Sequence, residues 1–517
     1  MPHRLNVAPA PPSESYLLRD DVERVSAGDR KDDAAVHVAF RFWMGCNIST
    51  CNLIIGAMGP LVFDLGLADS LILAIIASLT GCTVPAMVSS LGPLSGLRTM
   101  VISRFFMGWY PAKVIGILNI LMLIGFAILD VIAGGNILAV LLPQTTVWSV
   151  AAIVFVAALA VTLATFGNKV LLAFEEWSWY PQIVVIIFLA GFICRYLGEA
   201  VQAAEVPSKT DTHCNRLAYF NLVLAAFICF STIAADFFVY LPERTSTWRV
   251  VFGSAAGLWV SSTLLTSVGA LLGVVTLTSP ALLRAYGESP GALIAAALAP
   301  AGVWGKMCCA VLFLGNVGTA AAGMYSLGLT GKATVLFRGP RYLWTILCGT
   351  VVLVCAAAGR DSIVVSMQNF ISIVGYWVIS WLGIFATDYL VFRRGCYTWD
   401  HWDSKDDLPY GYAASAAFCL GFVAAILSMA QDSFVGPIAK LARPAGVEVQ
   451  TLLSCFPKSA NRTLAREFRG PARRRYNISH IALCGATFPF DGFGVRSAST
   501  LNNEQDVIYP SSNDELC

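Results

Sequence analysis

Residues 43–52 read Trp-Met-Gly-Cys-Asn-Ile-Ser-Thr-Cys-Asn and place a glycine and four polar side chains inside an otherwise apolar run, 38–63. An apolar run of about 20 residues crosses the hydrocarbon core of a membrane as a helix. A glycine with Asn47, Ser49 and Thr50 at its centre predicts local unwinding, because freed backbone groups can then bind a cation or a small molecule instead of facing lipid. Alternatively, the hydroxyls bond back onto their own helix and the asparagine lies at a helix contact.

Ten further apolar runs follow this first span. They lie at approximately 70–91, 112–140, 147–166, 181–198, 217–241, 251–277, 303–329, 342–358, 363–391 and 411–430. Only 13% of the residues are charged and the mean hydropathy is +0.68, which leaves too little polar surface for a soluble protein. Runs such as 71–77 and 183–192 have no polar face and disfavour a large soluble helical core. The sequence predicts an all-α polytopic membrane protein with about 11–12 transmembrane helices.

Charge divides the chain into a polar tail (1–37), a transmembrane core (38–441) and a divergent C-terminal tail (442–517). The first tail lacks the apolar segment of a cleaved signal peptide, so we expect it to stay attached and lie in the cytoplasm. With that orientation, twelve Lys and Arg residues fall in cytoplasmic loops and five in the opposite loops. This asymmetry follows the positive-inside rule. We expect the plasma membrane as the location.

Cysteine and histidine give no sign of a metal site or cofactor. The 15 cysteines include no CxxC pair, and many stand singly in apolar runs, as small residues do in helix packing. The 5 histidines are scattered outside the spans. No convergent catalytic constellation and no basic patch interleaved with aromatic residues is present, which disfavours a membrane enzyme and a nucleic-acid partner.

The third span carries an intramembrane carboxylate. Asn119, Phe126, Asp130 and Gly134 recur at spacings of seven, four and four, which stacks them on one helical face. Asp130 could accept hydrogen bonds from a ring NH or hold a proton, and Phe126 could stack on a flat ring. Pairing of Asp130 with a Ser or Asn on a neighbouring helix is the structural alternative.

The sixth span has its own polar break at Ser231 and Thr232, five spans after the first. Matching breaks in the first and sixth spans are what an inverted 5+5 repeat produces, with the site between its halves. Asp236, near the cytoplasmic end, is expected to act at a gate or in local pairing.

Two later spans carry small and polar faces. The eighth has Thr319 and Gly323, and the tenth has Ser372 and Tyr376 within a stripe at four-residue spacing. Both faces are expected to point into the protein, where they could line a site. Close helix packing explains such stripes equally well.

Several motifs together resemble the nucleobase-cation-symport-1 family, in its fungal purine-cytosine permease branch. They are GPLVFDLGLADS (59–70), GPLSGLRTMVISRF (92–105), FEEWSWYP (174–181), AADFFVY (234–240), FRRG (392–395) and YTWDHW (397–402). The resemblance covers roughly residues 20–441. It implies a 5+5 inverted-repeat transporter fold with twelve membrane helices. It also implies proton symport of nucleobases and related heterocycles.

By this resemblance, substrate contacts fall on the first, third, sixth, eighth and tenth helices. The family's stacking tryptophans correspond to Phe126 and Phe230, and its amide four residues after the first of them corresponds to Asp130. The eighth-helix asparagines are replaced by the stretch from Thr319 to Gly323. The predicted substrate-binding residues are therefore Asn47, Ser49, Thr50, Phe126, Asp130, Phe230, Thr319, Gly323, Ser372 and Tyr376.

Asp130, Glu175 and Asp236 are the candidates for gating or coupling. An ionised carboxylate only accepts hydrogen bonds, whereas an amide also donates them. The function predicted is proton-coupled import of a nucleobase such as cytosine or a purine, driven by the proton gradient without a cofactor. The alternatives are a vitamin-like or cationic heterocycle, such as pyridoxine or thiamine, and an inactive paralogue. The C-terminal tail lacks the family's twelfth apolar helix, which genuine divergence, a frame change or a retained intron would each explain.

Overall fold

A computed structural model describes residues 22–30, 35–143, 145–204, 212–334, 340–360, 363–429 and 436–438. All regular elements within these ranges are helical. Nine of the helices described there are long and apolar enough to cross a membrane. The predicted C-terminal tail, 442–517, lies outside the described residues.

The observed helices follow the predicted spans in order. Their bounds are Ala35–Asn47 with Thr50–Leu61, Leu67–Ser89, Trp109–Ala139, Thr146–Phe166, Asn168–Ala204, Thr212–Ile228, Thr247–Thr278, Val303–Thr334, Arg341–Gly359, Ile363–Ala386 and Tyr412–Leu427. The tenth continues as a π-helical turn, Thr387–Phe392. The fifth span begins at Asn168, well before its predicted start at residue 181. The prediction missed its first turns because their charged and aromatic residues lower the hydropathy.

The first span is interrupted where its polar residues predict. Its two helices are separated at Ile48 and Ser49, and Ser49 has extended backbone angles (φ −122°, ψ 146°). The Ser49 hydroxyl accepts a hydrogen bond from the backbone N–H of Cys51 at 3.1 Å and so caps the second helix. Asn52 donates to the backbone carbonyl of Asn47 at 2.7 Å, which satisfies a group released by the break.

The sixth span is interrupted as well, but its second half is not helical as the predicted range 217–241 implies. A 3₁₀ turn, Cys229–Thr232, follows the helix, and residues 233–240 run as successive turns. The loop after the second span, which includes the short helices Leu91–Ser95, Thr99–Ile102 and Arg104–Met107, supplies hydrogen bonds that a continuous helix would otherwise provide. The backbone N–H of Ala235 donates to the Thr99 hydroxyl at 3.1 Å, and Arg98 donates to the backbone carbonyl of Asp236.

Two features were not predicted from the apolar runs. A helical hairpin, Pro280–Glu288 and Pro290–Leu298, connects the seventh and eighth spans. The segment 22–30 of the N-terminal tail lies against the loop after the second span, where Val25 donates its N–H to the carbonyl of Gly96 at 3.0 Å. Short polar segments like this carry no hydropathy signal, so their docking is visible only in the fold.

Glycines bring the first and seventh spans into backbone contact. A Cβ on Gly56 would lie 2.1 Å from the carbonyl oxygen of Thr266, and one on Gly269 would lie 2.1 Å from that of Leu53. Both obstacles are backbone atoms of transmembrane helices, which cannot rotate aside as a side chain could. Such close approach through small residues is a common basis of helix association in membranes.

Gly56→Ala is therefore expected to reduce the yield of folded protein several-fold, since the two spans must separate to admit the methyl group. The monodisperse fraction in detergent, measured by size-exclusion chromatography of the tagged protein, checks this. Gly191→Ala is the matched control, because a Cβ on Gly191 in the fifth span meets no atom within 4 Å. Equal monodisperse yields for the two variants would contradict the packing argument.

Candidate substrate site

A small cavity of about 30 Å³ lies between the first, third, sixth, eighth and tenth spans. Small-molecule sites enclose roughly 300–1,000 Å³, so a ring-sized ligand would need the surrounding helices to move apart. The lining residues are Ser49, Cys51, Asn52, Ile55, Phe126, Leu129, Asp130, Ala226, Phe230, Thr319, Met367 and Ile371. The wall is mostly apolar, with a few polar groups converging on one side.

Asp130 supplies the only carboxylate among these lining residues, and it is 4% exposed. The hydroxyl of Ser49 lies 2.7 Å from Asp130 Oδ1, and the thiol of Cys51 is also hydrogen-bonded to this carboxyl group. Both partners come from the interrupted part of the first span. The break therefore places two donors against the third span, which a continuous helix would not do.

Asn316 of the eighth span is not among the lining residues, but it contacts Ser49 and Thr50 beside the cavity. Its Oδ1 lies 2.7 Å from the Ser49 hydroxyl and 3.0 Å from that of Thr50, and its Nδ2 lies 2.8 Å from the Thr50 hydroxyl. Asn316 is fully buried. The break in the first span is thus held to the third span through Asp130 and to the eighth through Asn316.

Two aromatic side chains contribute apolar ring surface. Phe126 packs edge-on against Phe370, with ring centroids 5.1 Å apart, and Phe230 packs edge-on against Trp43 at 5.6 Å. Both phenylalanines line the cavity. The packing partners fix their orientation, so they offer preformed faces or edges to a flat ring.

The structure brings together five of the ten predicted binding residues in the lining: Ser49, Phe126, Asp130, Phe230 and Thr319. Thr319 donates to the carbonyl of Cys46 at 2.7 Å and so also joins the eighth span to the first.

The other five lie outside the lining. Asn47 donates to Ser261 at 2.8 Å and Thr50 bonds to Asn316, so both secure the break from behind. A Cβ on Gly323 would meet no atom within 4 Å, and Ser372 bonds to the carbonyl of Gln368 one turn earlier. Tyr376 does not line the cavity either.

The tenth span instead contributes Met367 and Ile371 to the wall. Sequence reasoning selected the polar stripe of this helix, whereas its cavity-facing residues are apolar. An apolar residue that lines a cavity has the same sequence signature as one that packs between helices. Asn52 carried a usable signal, since it is a polar residue within the interrupted stretch.

Glu175 of the fifth span is fully buried between two glycines. A Cβ on Gly45 of the first span would lie 2.4 Å from its Oε2, and one on Gly318 of the eighth would lie 2.5 Å from its Oε1. The Ser178 hydroxyl is 3.4 Å from Oε2, and Oε1 has no hydrogen-bond partner among the described residues. The glycines make the room that the carboxyl group occupies.

Asp236 differs from both of these carboxylates because its oxygens are fully engaged. Oδ1 accepts from the backbone N–H of Thr99 at 2.7 Å and from its hydroxyl at 3.0 Å, and Oδ2 accepts from Ser326. It is buried but absent from the cavity lining. These bonds join the sixth span to the loop after the second and to the eighth.

No cluster of three or more His, Cys, Asp or Glu side chains suited to a metal ion occurs in the part of the chain that the structure describes. The cavity itself offers one carboxylate, an amide, hydroxyls and aromatic rings. Such a set can orient a small heterocycle through ring stacking and hydrogen bonds to its NH groups.

Comparisons with known proteins show the family to which the chain belongs. The profile of a family described as "Permease for cytosine/purines, uracil, thiamine, allantoin" matches residues 28–447. The purine-cytosine permease fcyB of Emericella nidulans is 30% identical over 438 residues, covering 83% of this chain and 84% of the relative. The vitamin B6 transporter TPN1 of Saccharomyces cerevisiae is 25% identical over 490 residues, covering 84% of each.

The fold is shared with a solved transporter. The closed structure of Mhp1, a nucleobase-cation-symport-1 family transporter with bromovinylhydantoin bound, superposes with a TM-score of 0.63. The match covers 89% of this chain and 99% of Mhp1 at 14% sequence identity. The predicted fold, an all-α membrane protein with two inverted five-helix repeats, is confirmed. The chain is an integral membrane protein and belongs to the nucleobase-cation-symport-1 family, in the branch of the fungal purine-cytosine permeases.

Proposed function

We propose that the chain is a proton-coupled symporter that imports a nucleobase or a closely related small heterocycle. The observation that carries the proposal is the placement of Asp130, a buried carboxylate in a mostly apolar cavity, against the break in the first span. Ionisable groups at membrane depth mark substrate and ion pathways. The purine-cytosine permeases among its relatives support a nucleobase as the substrate.

We assign a role to each predicted binding residue from its position in or beside the cavity. Phe126 and Phe230 stack on or border the ring, and Asp130 accepts hydrogen bonds from its NH groups. Thr319 and Ser49 offer hydroxyls, while Asn47 and Thr50 hold the break in shape. The remaining predicted contacts, Gly323, Ser372 and Tyr376, lie outside the cavity and would require a helix movement to reach the substrate.

Coupling to protons is assigned to two carboxyl groups, with a third at a gate. Asp130 faces the substrate, and Glu175 lies where the first, fifth and eighth spans meet, with one oxygen unsatisfied by any described residue. A buried carboxyl group of this kind is far less costly when it carries a proton. Asp236, with its oxygens engaged, acts as a gate that ties three segments together on the side assigned to the cytoplasm.

One observation favours a second class of substrate. Asp130 presents an acceptor where an amide would present both a donor and an acceptor, so it suits a cationic or donor-rich ring. A vitamin-like heterocycle such as pyridoxine fits this description, and the vitamin B6 transporter among the relatives supports it. The two classes differ in whether the ring offers a positive charge to the carboxylate.

Uptake of labelled cytosine, adenine, pyridoxine and thiamine in transport-deficient cells tests the proposal, with and without a proton uncoupler. We expect saturable accumulation of at least one compound, abolished by the uncoupler. An epitope tag before Met1, detected at the plasma membrane only after permeabilisation, is the expected result for a cytoplasmic N-terminus. Accumulation that resists the uncoupler would contradict proton coupling, and no uptake of any compound at normal surface expression would contradict the substrate class.

A further inference from the structure

Three buried groups from three spans share too few hydrogens for all their close contacts. The Ser49 hydroxyl lies 2.7 Å from Asp130 Oδ1 and 2.7 Å from Asn316 Oδ1, and both of these atoms are acceptors when the carboxyl group is ionised. A hydroxyl has one hydrogen and can satisfy only one of them. The same oxygen already accepts a hydrogen bond from the N–H of Cys51 at 3.1 Å.

We propose that Asn316 is a positioning residue that senses, through Ser49, whether Asp130 carries a proton. The inference rests on the proposed proton coupling, since it matters for transport only if Asp130 changes protonation during the cycle. The response to protonation then involves three spans. Asp130 on the third span holds the proton, Ser49 on the first changes the direction of its hydrogen bond, and Asn316 on the eighth accepts the new bond.

Two hydrogen-bond patterns satisfy the geometry. With Asp130 ionised, Ser49 donates to the carboxylate, and Asn316 Oδ1 accepts from the Thr50 hydroxyl at 3.0 Å. With Asp130 protonated, its O–H donates to Ser49, which is then free to donate to Asn316 Oδ1. In that second pattern Asn316 Nδ2 donates to Thr50 at 2.8 Å, so no buried group loses its partner.

Burial and close helix packing around Ser49, Thr50 and Asn316 favour this rearrangement of hydrogen bonds when Asp130 gains or loses a proton. Ser49, Thr50 and Asn316 are each at most 2% exposed, so bulk water does not compete for their hydrogen bonds. A Cβ on Gly134 of the third span would lie 3.0 Å from the Cβ of Asn316, so the third and eighth spans are in close contact beside the network. A change of hydrogen-bond direction therefore acts between tightly packed helices.

Other titratable groups near Asp130 belong to the first and fifth spans. Cys51 is hydrogen-bonded to Asp130, and Cys46 interacts electrostatically with both Asp130 and Glu175. The lining residues of the sixth, eighth and tenth spans, Ala226, Phe230, Thr319, Met367 and Ile371, do not titrate. A test must therefore separate the titration of Asp130 from that of Glu175 and the two thiols.

Thermal unfolding of the purified full-length protein in detergent provides that test, because it needs neither substrate nor transport. Asn316→Ala removes the acceptor that Ser49 uses only when Asp130 is protonated. We expect the variant to lower the unfolding midpoint more at about pH 5 than at about pH 8, by roughly 1–2 °C. In an Asp130→Asn background the loss should no longer depend on pH.

Ser262→Ala is the matched control, since this buried hydroxyl bonds within its own helix to the carbonyl of Leu258 and should give a pH-independent loss. An equal loss for Asn316→Ala at both pH values would overturn the proposal and leave Asn316 a packing residue. Persistence of the pH dependence in the Asp130→Asn background would overturn it as well, because another group would then be responsible. If Asn316→Ala does not fold, Asn316→Ser gives the same comparison.

The unfolding test and the uptake test fail independently. Loss of proton-coupled uptake in the cell assay would remove the proposed function while the linkage between Asn316 and Asp130 could still be measured. Conversely, a pH-independent effect of Asn316→Ala would leave the transport proposal intact. The uptake assay therefore tests the proposed function, and the unfolding assay tests the proposed linkage between Asn316 and Asp130.

Discussion

Replacing Asp130 with alanine is expected to reduce kcat/KM for uptake by roughly 10- to 100-fold while surface expression is retained. Hydrogen bonds to a charged group contribute about 1.5–3 kcal/mol, and each 1.4 kcal/mol corresponds to a factor of ten. Asp130 lines the cavity, and its partner Ser49 belongs to the break on which the cavity depends. Initial rates over a range of substrate concentrations, normalised to surface protein, measure the effect.

Asp130→Asn separates the roles of charge and shape at this position. The amide keeps the size of the side chain and restores a donor, so a neutral nucleobase should retain more uptake with asparagine than with alanine. A cationic ring should lose uptake to a similar extent with either replacement, because both remove the negative charge. The substrate class is therefore readable from the ratio of the two variants.

Asp406→Ala is the control for removal of a carboxylate, since Asp406 is exposed in the loop between the tenth and eleventh spans. It should transport at the wild-type rate. Unchanged uptake by Asp130→Ala would place Asp130 outside the site. It would leave the carboxylate as a structural partner of Ser49, which is the alternative reading of its position on the third span.

The order of the membrane helices could be predicted from the sequence, because a membrane span depends on a local property, the length of an apolar run. Hydrophobic length locates each helix, and polar residues within a run locate its breaks, so Asn47, Ser49 and Thr50 marked the first interruption correctly. The second half of the sixth span was mispredicted as helix, because its apolar residues satisfy the hydropathy criterion while its backbone bonds to Arg98 and Thr99. Tertiary hydrogen bonds of that kind have no local sequence signature.

The cavity was only partly predictable for a related reason. Polarity identified Ser49, Asp130 and Thr319, helical spacing placed Phe126 on the same face as Asp130, and the family resemblance added Phe230. The apolar wall could not be separated from ordinary packing residues by its sequence. Asn316 is one polar residue among the small residues of the eighth span, and only the fold shows that it meets the first span at its break.

The motif around Glu175 predicts a role for this residue but not its surroundings in the fold. Glu175 lies in the FEEWSWYP motif and is a predicted candidate for coupling, yet the space it occupies depends on Gly45 and Gly318, which are distant in sequence. Gly45 was selected only as part of the break in the first span, and Gly318 would not be selected from its own neighbourhood, since glycines are common in membrane helices. The contact among three spans is what turns a charged residue into a specific proposal about coupling.

Glu175→Gln is expected to abolish accumulation against a gradient while preserving exchange of labelled for unlabelled substrate. Glutamine has nearly the same shape, so it should fit between the two glycines, but it cannot bind and release a proton. One proton moving through a membrane potential of 100 mV supplies about 2.3 kcal/mol, which corresponds to roughly 50-fold accumulation. The wild type should approach such a ratio and the variant should remain near one.

Glu176→Gln is the matched control, because the adjacent carboxylate is 39% exposed and pairs with Arg41, whereas Glu175 is fully buried. It should accumulate substrate in an uncoupler-sensitive manner. Exchange measured in proteoliposomes without a proton gradient shows whether each variant still binds and moves substrate, which separates lost coupling from lost folding. Uncoupler-sensitive accumulation by Glu175→Gln at the wild-type ratio would exclude Glu175 as a proton carrier. Asp130, which lines the cavity, would then be the remaining candidate for carrying the proton.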